Sequence, residues 1–260
     1  MSIAAVRPEL PLATVNPVAK LAAAVPLSVA LVVTLDPVSA GTAIVLELLV
    51  FALIGLGPLA FSRRTLPVWI AAPLAGVSML LYGEASGRTH LEFGLIQVTD
   101  GSIAIALSTT LRVIAIALPA VVLFLTIDPT DLADGLAQTL RLPARFVLGA
   151  LAALRLAGAT ADDWRTLALA RRARGIGDGA LLPRLVRQAF ALLVLAIRRG
   201  STLATAMEAR GFGSDEPRSW AREARFGARE WATIAVGVVI AVLATAAAVA
   251  TGSWNVIWRG

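Results

Sequence analysis

The chain has 260 residues, of which 58% are hydrophobic and only 15% charged, with a mean hydropathy of +0.80. A soluble domain lies closer to half apolar and a quarter charged, so this composition is that of a membrane protein. The absence of Cys excludes a disulfide framework, a thiol nucleophile and any Cys metal site, and one His (His90) excludes a His-rich metal centre. The formal charge of +6, carried almost entirely by arginine, suits a nucleic-acid binder in isolation. With this hydropathy it is better explained by the excess of Lys and Arg on the inner side of a membrane protein.

In chain order, residues 1–17 form a mixed lead with Arg7, Glu9 and several prolines, which does not read as a cleavable signal. A first apolar span is expected over about Val18 to Leu35, with Pro26 inside it. Asp36-Pro37 reads as a turn. A second span is expected over about Ala40 to Phe61, followed by Arg63-Arg64, and a third over about Leu66 to Tyr82. A polar loop, Gly83 to Gly101, leads to a fourth span over about Ser102 to Ile127. Each stretch is near the ~20 residues needed to cross a bilayer core.

The texture then changes. All of the net charge of +6 can be assigned to Asp128–Arg229, where arginines are interspersed with acids. Within this block Ala144–Ala159 and Leu181–Ile197 are apolar but carry Arg145 and Arg155, and Arg184 and Arg187. Two arginines per segment are costly against lipid, so these segments are expected to lie along the membrane face. A fifth span covers about Trp231 to Ala250. Trp231 and Trp254 are separated by about 34 Å of helix, which lets both sit in the interfacial aromatic belts.

The expected fold is therefore all-α: about five membrane helices plus a cytoplasmic, membrane-apposed region between the fourth and fifth. The corresponding division is 1–127, 128–229 and 230–260. Arg7 and Lys20, Arg63-Arg64 and the arginine-rich block all fall on one side of this layout. The positive-inside rule then puts the N-terminus and the block in the cytoplasm and the C-terminus outside.

One phrase occurs twice in the block. Ala170-Arg171-Arg172-Ala173-Arg174-Gly175-Ile176-Gly177 and Ala206-Met207-Glu208-Ala209-Arg210-Gly211-Phe212-Gly213 both fit A-x-x-A-R-G-(apolar)-G. Each copy alone reads as a helix ending, with Arg favoured in the last turn and Gly just after it. That reading accounts for the glycines but not for the matched pair. Acids at Asp162 and Asp163 in a first turn after Thr160, and an N-cap at Gly200-Ser201, predict two short helices, each ending on an Arg. Arginine brings a permanent charge and a bidentate fork for a carboxylate or carbonyl.

Two charges fall inside expected spans. Glu47 and Arg112 lie ~12 and ~15 Å from the external face, counted at 1.5 Å per residue. Unpaired charges at such depth are expensive, so the two are expected to pair, unless one snorkels or faces a bound subunit. Asp131 with Asp134, Asp162 with Asp163, and His90 are weak candidates for catalysis or metal binding, since none has a companion ligand set. No G-x-x-x-x-G-K-[ST] loop occurs, so ATP chemistry would need another chain.

The two Ala-Arg-Gly ends, in a basic segment of a membrane-embedded chain, resemble the transmembrane T component of energy-coupling factor (ECF) transporters. Asn16-Pro17-x-x-Lys20-Leu21 is similar to that family's opening. Leu111-Arg112 resembles its arginine-bearing fourth span, and Thr126-Ile-Asp128-Pro129-Thr130-Asp131-Leu132-Ala133-Asp134 its Thr-x-x-Pro-Thr-Glu/Asp-Leu segment. The resemblance runs from Asn16 to Trp231.

It implies a non-enzymatic scaffold, without a cofactor, in an ABC importer of vitamins or transition-metal ions in a bacterial or archaeal cell membrane. Two ATPase subunits, alike or different, would grip the coupling helices at Ala173-Arg174-Gly175 and Ala209-Arg210-Gly211, with Arg171 and Arg172 adding charge to the first. A small membrane S component would bind the substrate. The competing readings are a stand-alone secondary transporter or channel using Glu47 and Arg112, and an intramembrane hydrolase, which the lack of Cys, of HExxH and of any His in a span disfavours.

Overall fold

The computed structural model describes residues 14–55, 58–83, 86–93, 96–175, 180–214 and 219–255. Eight helices and one hairpin are found among them: α1 Pro17–Val33, α2 Pro37–Leu53, α3 Pro58–Tyr82, β1 Thr89–Phe93, β2 Ile96–Thr99, α4 Asp100–Thr126, α5 Pro129–Gln138, α6 Ala144–Ala173, α7 Leu181–Glu208 and α8 Ala228–Ala250.

Local chemistry sets many of the helix starts. Pro17 and Pro37 begin α1 and α2, where a missing N–H costs nothing. Asn16 Oδ1 accepts from Val18 N at 3.0 Å, and Asp36 Oδ1 from Ser39 N at 2.6 Å. At α4, Thr99 and Ser102 cap each other reciprocally: Ser102 N donates to Thr99 Oγ1 and Thr99 N to Ser102 Oγ.

The chain divides into two units, Met1–Leu132 with Arg225–Gly260, and Ala133–Ala224. In the first, α4 packs on α3, α2 and α1, while α8 packs on α1 and α2. Leu27, Leu31, Ala43, Ala115, Ala241 and Ala244 fill the space among α1, α2, α4 and α8. A second cluster, including Phe51, Val68, Ala72 and Leu118, joins α2, α3 and α4.

Helices α1 and α8 run in the same direction, and they touch closely. A Cβ on Gly237 would stand 2.1 Å from the Ala23 carbonyl oxygen, so only glycine fits at that crossing. In the second unit α6 and α7 pair, and Ala133, Ala137 and Val147 gather beside Trp220. Gln138 fastens the incoming chain there by donating to Arg222 O and accepting from Ala224 N.

By length and composition four helical stretches suffice to cross a membrane: Thr65–Tyr82, Asp100–Leu123, Ala144–Ala173 and Ala228–Ala250. α1 and α2, at 17 residues each, are apolar and stand at the short end of the range that spans a bilayer core. Together with the near absence of strand this is an all-α, multi-pass membrane protein. Its outward faces are apolar, as lipid-facing helices require: Leu53, Leu74 and Val242 are exposed.

Several expectations change. The second helix stops at Leu53, with Gly55 at φ 82°, rather than running to Phe61. Arg63-Arg64 accordingly fall inside α3 instead of following the second span. The polar loop contains the antiparallel hairpin β1–β2. The two short helices ending in Arg are instead the last parts of the continuous α6 and α7. Thr160 and Ser201 do not start new helices: their hydroxyls donate back to Leu156 O at 2.9 Å and Ile197 O at 3.0 Å. This bond to the carbonyl four residues earlier lets a helix run through a residue type that often begins one.

Candidate coupling helix ends and buried charges

α6 and α7 pass each other in opposite directions. Arg171 Nη2 donates to Arg187 O at 3.4 Å, and Gln188 Nε2 donates to Trp164 O at 2.7 Å. Both terminal nitrogens of Arg199 donate to the two carboxylate oxygens of Asp163. This bidentate fork fixes register as well as attraction. Since 163 to 171 advances as 199 to 187 recedes, the two helix ends lie at opposite ends of the pair. At 1.5 Å per residue they are roughly 40 Å apart along it.

Each end is built on a left-handed glycine. α7 closes with Gly211 at φ 77°: Gly211 N donates to Glu208 O at 2.9 Å and Phe212 N to Met207 O at 3.0 Å. These are the two bonds of the Schellman motif, and the flanking Met207 and Phe212 are both half-buried, as its apolar contact requires. α6 makes the corresponding bond from Gly175 N to Arg172 O at 3.0 Å, with Gly175 at φ 70°. Ile176 and Gly177, the rest of the first copy, lie outside the described residues.

Ala173, Arg174, Ala209 and Arg210 are all exposed. Neither the Arg174 nor the Arg210 guanidinium has a hydrogen-bond or ion-pair partner among the described residues. Arg171 is already engaged with α7, whereas Arg172 is exposed.

The buried charges are arranged differently from the sequence expectation. Arg112 does not meet Glu47. Its Nε donates to Leu31 O at 2.5 Å and its Nη2 to Val32 O. Those carbonyls belong to the last turn of α1, where acceptors lack partners within the helix and the dipole favours a cation. Lys20 does the reverse service: fully buried, it donates from Nζ to Thr126 O at 2.9 Å, at the C-terminal end of α4. Helices α1 and α4 are thus antiparallel, and each lends a cation to the other's carbonyl end. With Arg112 committed in this way, Glu47 is only 2% exposed and neither carboxyl oxygen has a hydrogen-bond partner. The pair on which a stand-alone transporter reading relied is not formed.

Glu230 was not singled out in the sequence, yet it ties α8 to α1. Its Oε2 accepts from Gly227 N at 2.8 Å and its Oε1 from Asn16 N at 3.3 Å, while Asn16 Nδ2 donates to Arg225 O. The Gly-x-x-Glu spacing at a helix start carried the signal, as the Glu half of a capping box. Of the weak candidates, His90 Nε2 stands 2.5 Å from Asp100 Oδ1 on the exposed hairpin. Asp131 lies in the first turn of α5, close enough to Lys20 to act on its charge, and Asp134 lies one turn further on. Asp162 makes an exposed contact with Arg165, and Asp163 is taken by Arg199.

Apolar helices that cap one another with cations, joined to a basic two-helix unit with two exposed arginine-tipped ends, define a multi-pass membrane protein. The family model for the cobalt transport protein CbiQ matches residues 9–220. The energy-coupling factor transporter transmembrane protein EcfT of Limosilactobacillus fermentum is 29% identical over 188 residues, 68% of this chain and 70% of that protein. Its counterparts in Brevibacillus brevis and Bacillus subtilis are 28% and 27% identical over 189 and 192 residues, covering 71% and 70% of their lengths. The chain belongs to the CbiQ family, the transmembrane T components of ECF transporters.

Proposed function

We propose that the chain takes up ATP-driven motion through the ends of α6 and α7 and passes it to a separate substrate-binding membrane subunit, an S component, for uptake of a vitamin or transition-metal ion. Two ATPase subunits, identical or different, each hold one end. The observation that carries this reading is the matched pair of exposed Arg-Gly tips. Arg174 and Arg210 each precede a left-handed glycine, with no side-chain partner among the described residues, at opposite ends of one antiparallel pair. A spacing of roughly 40 Å suits two separate grooves better than one.

Each guanidinium would reach a carboxylate or carbonyl lining its groove, and the small Ala173 and Ala209 would let the partner approach closely. Arg172 adds charge to the first contact, while Arg171 holds the pair together. ATP hydrolysis resides in the partners and the chain itself is not an enzyme. Both tips and the N-terminus face the cytoplasm, with α6 and α7 along the inner membrane face. The parallel course of α1 and α8 agrees with both starting on that side. The description of the matching family model, cobalt transport, supports a transition-metal ion, and a vitamin is the other substrate class that the sequence resemblance implies.

Co-purification tests the reading. Arg174→Glu with Arg210→Glu should abolish association with the ATPases while leaving the chain in the membrane. Undiminished ATPase association in the double variant would refute it. The chain has no native cysteine, so single-cysteine substitutions at 174 and 210 report sidedness directly. Labelling of the two from opposite sides of a sealed vesicle would also refute it.

A further inference from the structure

A cavity of about 350 Å³ lies within the first unit, between α1, α2, α4 and α8. Ala23, Leu27, Phe51, Leu123 and Val236 give it apolar walls, and its volume is within the range of small-molecule sites. Two lining side chains are polar. The Thr233 hydroxyl is used, donating to Arg229 O at 2.9 Å. The other is Glu47, 2% exposed, with both oxygens lacking any hydrogen-bond partner among the described residues.

Buried polar groups without a partner are rare, and a buried carboxyl is among the most costly. The cations nearest in kind do not meet it: Arg112 serves the end of α1 and Lys20 the end of α4. The wall therefore presents a single acidic group with unfilled acceptor capacity on an otherwise apolar surface.

We propose that this cavity binds an apolar ligand with a single amine head, the chain lying against α1, α4 and α8 and the ammonium donating to Glu47. Charge complementarity selects the head: an amine supplies both the counter-charge and the donors that the carboxyl lacks. An ammonium brings three donors and the counter-charge that lets the buried carboxyl ionise against it, whereas an alcohol supplies one neutral donor and no counter-charge. The inference is independent of what grips α6 and α7, since the cavity lies wholly within the other unit.

The test uses the full chain in lipid nanodiscs with octylamine as ligand and octanol as its neutral match. Dicyclohexylcarbodiimide is the reporter: the Glu47 carboxyl adds across its C=N bond and rearranges to an N-acylurea with no atom lost, which mass spectrometry locates. Octylamine should saturably slow the loss of unmodified Glu47, counting both the N-acylurea and any Glu47 octylamide formed by amine attack on the O-acylisourea with release of dicyclohexylurea, and octanol at equal concentration should not. Octylamine should also raise the unfolding temperature of the native chain. In Glu47→Gln its apparent affinity should fall by roughly tenfold or more, the loss of one charge-assisted hydrogen bond. Ala232→Leu, which occupies the cavity but keeps the carboxyl, should abolish both effects while leaving a monodisperse protein. Protection equal for amine and alcohol, or an octylamine affinity undiminished in Glu47→Gln, would overturn the proposal. So would a Glu47 that does not react with the carbodiimide at all.

Discussion

Gly237 is where the packing of the membrane helices is least forgiving, and Gly237→Ala measures it. A Cβ there would be 2.1 Å from the Ala23 carbonyl oxygen and 2.8 Å from its carbon, against an ordinary contact of at least 3.4 Å. The obstruction is backbone, so no side-chain rotation relieves it, and α1 and α8 must part by more than about 1 Å. A gap of 0.5–1 Å forfeits about a quarter to a half of a van der Waals contact. The loss would spread along the seam where Leu27, Leu31, Ile240, Ala241 and Ala244 are buried.

The expected cost is ~2–3 kcal/mol, at the upper end for overpacking by one methyl. At 2–4 °C per kcal/mol for a chain of this size, thermal unfolding in detergent should shift down by about 4–12 °C. Trimming the neighbour, Ala23→Gly, should not restore stability, because the clash is with a carbonyl that every residue carries. An unchanged unfolding temperature in Gly237→Ala, or full rescue by Ala23→Gly, would refute this account of the α1–α8 contact.

Other substitutions bear on the remaining elements. Lys20→Met leaves Thr126 O without its donor and should cost about 1–3 kcal/mol, read as a lower unfolding temperature that a neutral donor at position 20 only partly restores. Arg112→Leu should destabilise by a similar amount through Leu31 O and Val32 O, and adding Glu47→Leu, which removes an unpartnered buried carboxyl, should change stability by the sum of the two single effects, since the two do not pair. Gly211→Ala, forced to φ 77°, should cost about 1–2 kcal/mol in local stability, seen as faster hydrogen exchange in the last turn of α7. Asp163→Ala with Arg199→Ala should show a coupling of about 1 kcal/mol in a double-mutant cycle, limited by the partial exposure of both side chains. By contrast Arg174→Glu and Arg210→Glu, both exposed, should move the unfolding temperature within the range of ordinary surface changes, about 0.5 kcal/mol.

Much of this protein was open to reading along the chain. Hydropathy located the first, fourth and last membrane helices to within a few residues, and the C-terminal end of the third, because a bilayer imposes its thickness on any helix that crosses it. Asn16-Pro17 marked the start of the first helix through chemistry confined to adjacent residues, whereas Asp36-Pro37, read as a turn, proves also to cap and begin α2. The two Arg-Gly ends were visible for the same reason: a left-handed residue after a last turn selects glycine whatever surrounds it.

Where local chemistry has two outcomes, the tertiary structure made the choice. Thr160 and Ser201 could cap or back-bond, and within the long α6 and α7 they back-bond. The partners of the buried charges lay further out of reach. Counting residues gives the depth of Glu47 and Arg112, which is why they were matched, but it gives neither the direction in which a side chain leaves its helix nor the helix that stands opposite. Packing settles both. It turns Arg112 to the carbonyls of α1 and Lys20 to the end of α4, and leaves Glu47 facing an apolar space. The energy of a buried charge depends on partners distant in sequence, so their identity is a property of the assembled helices.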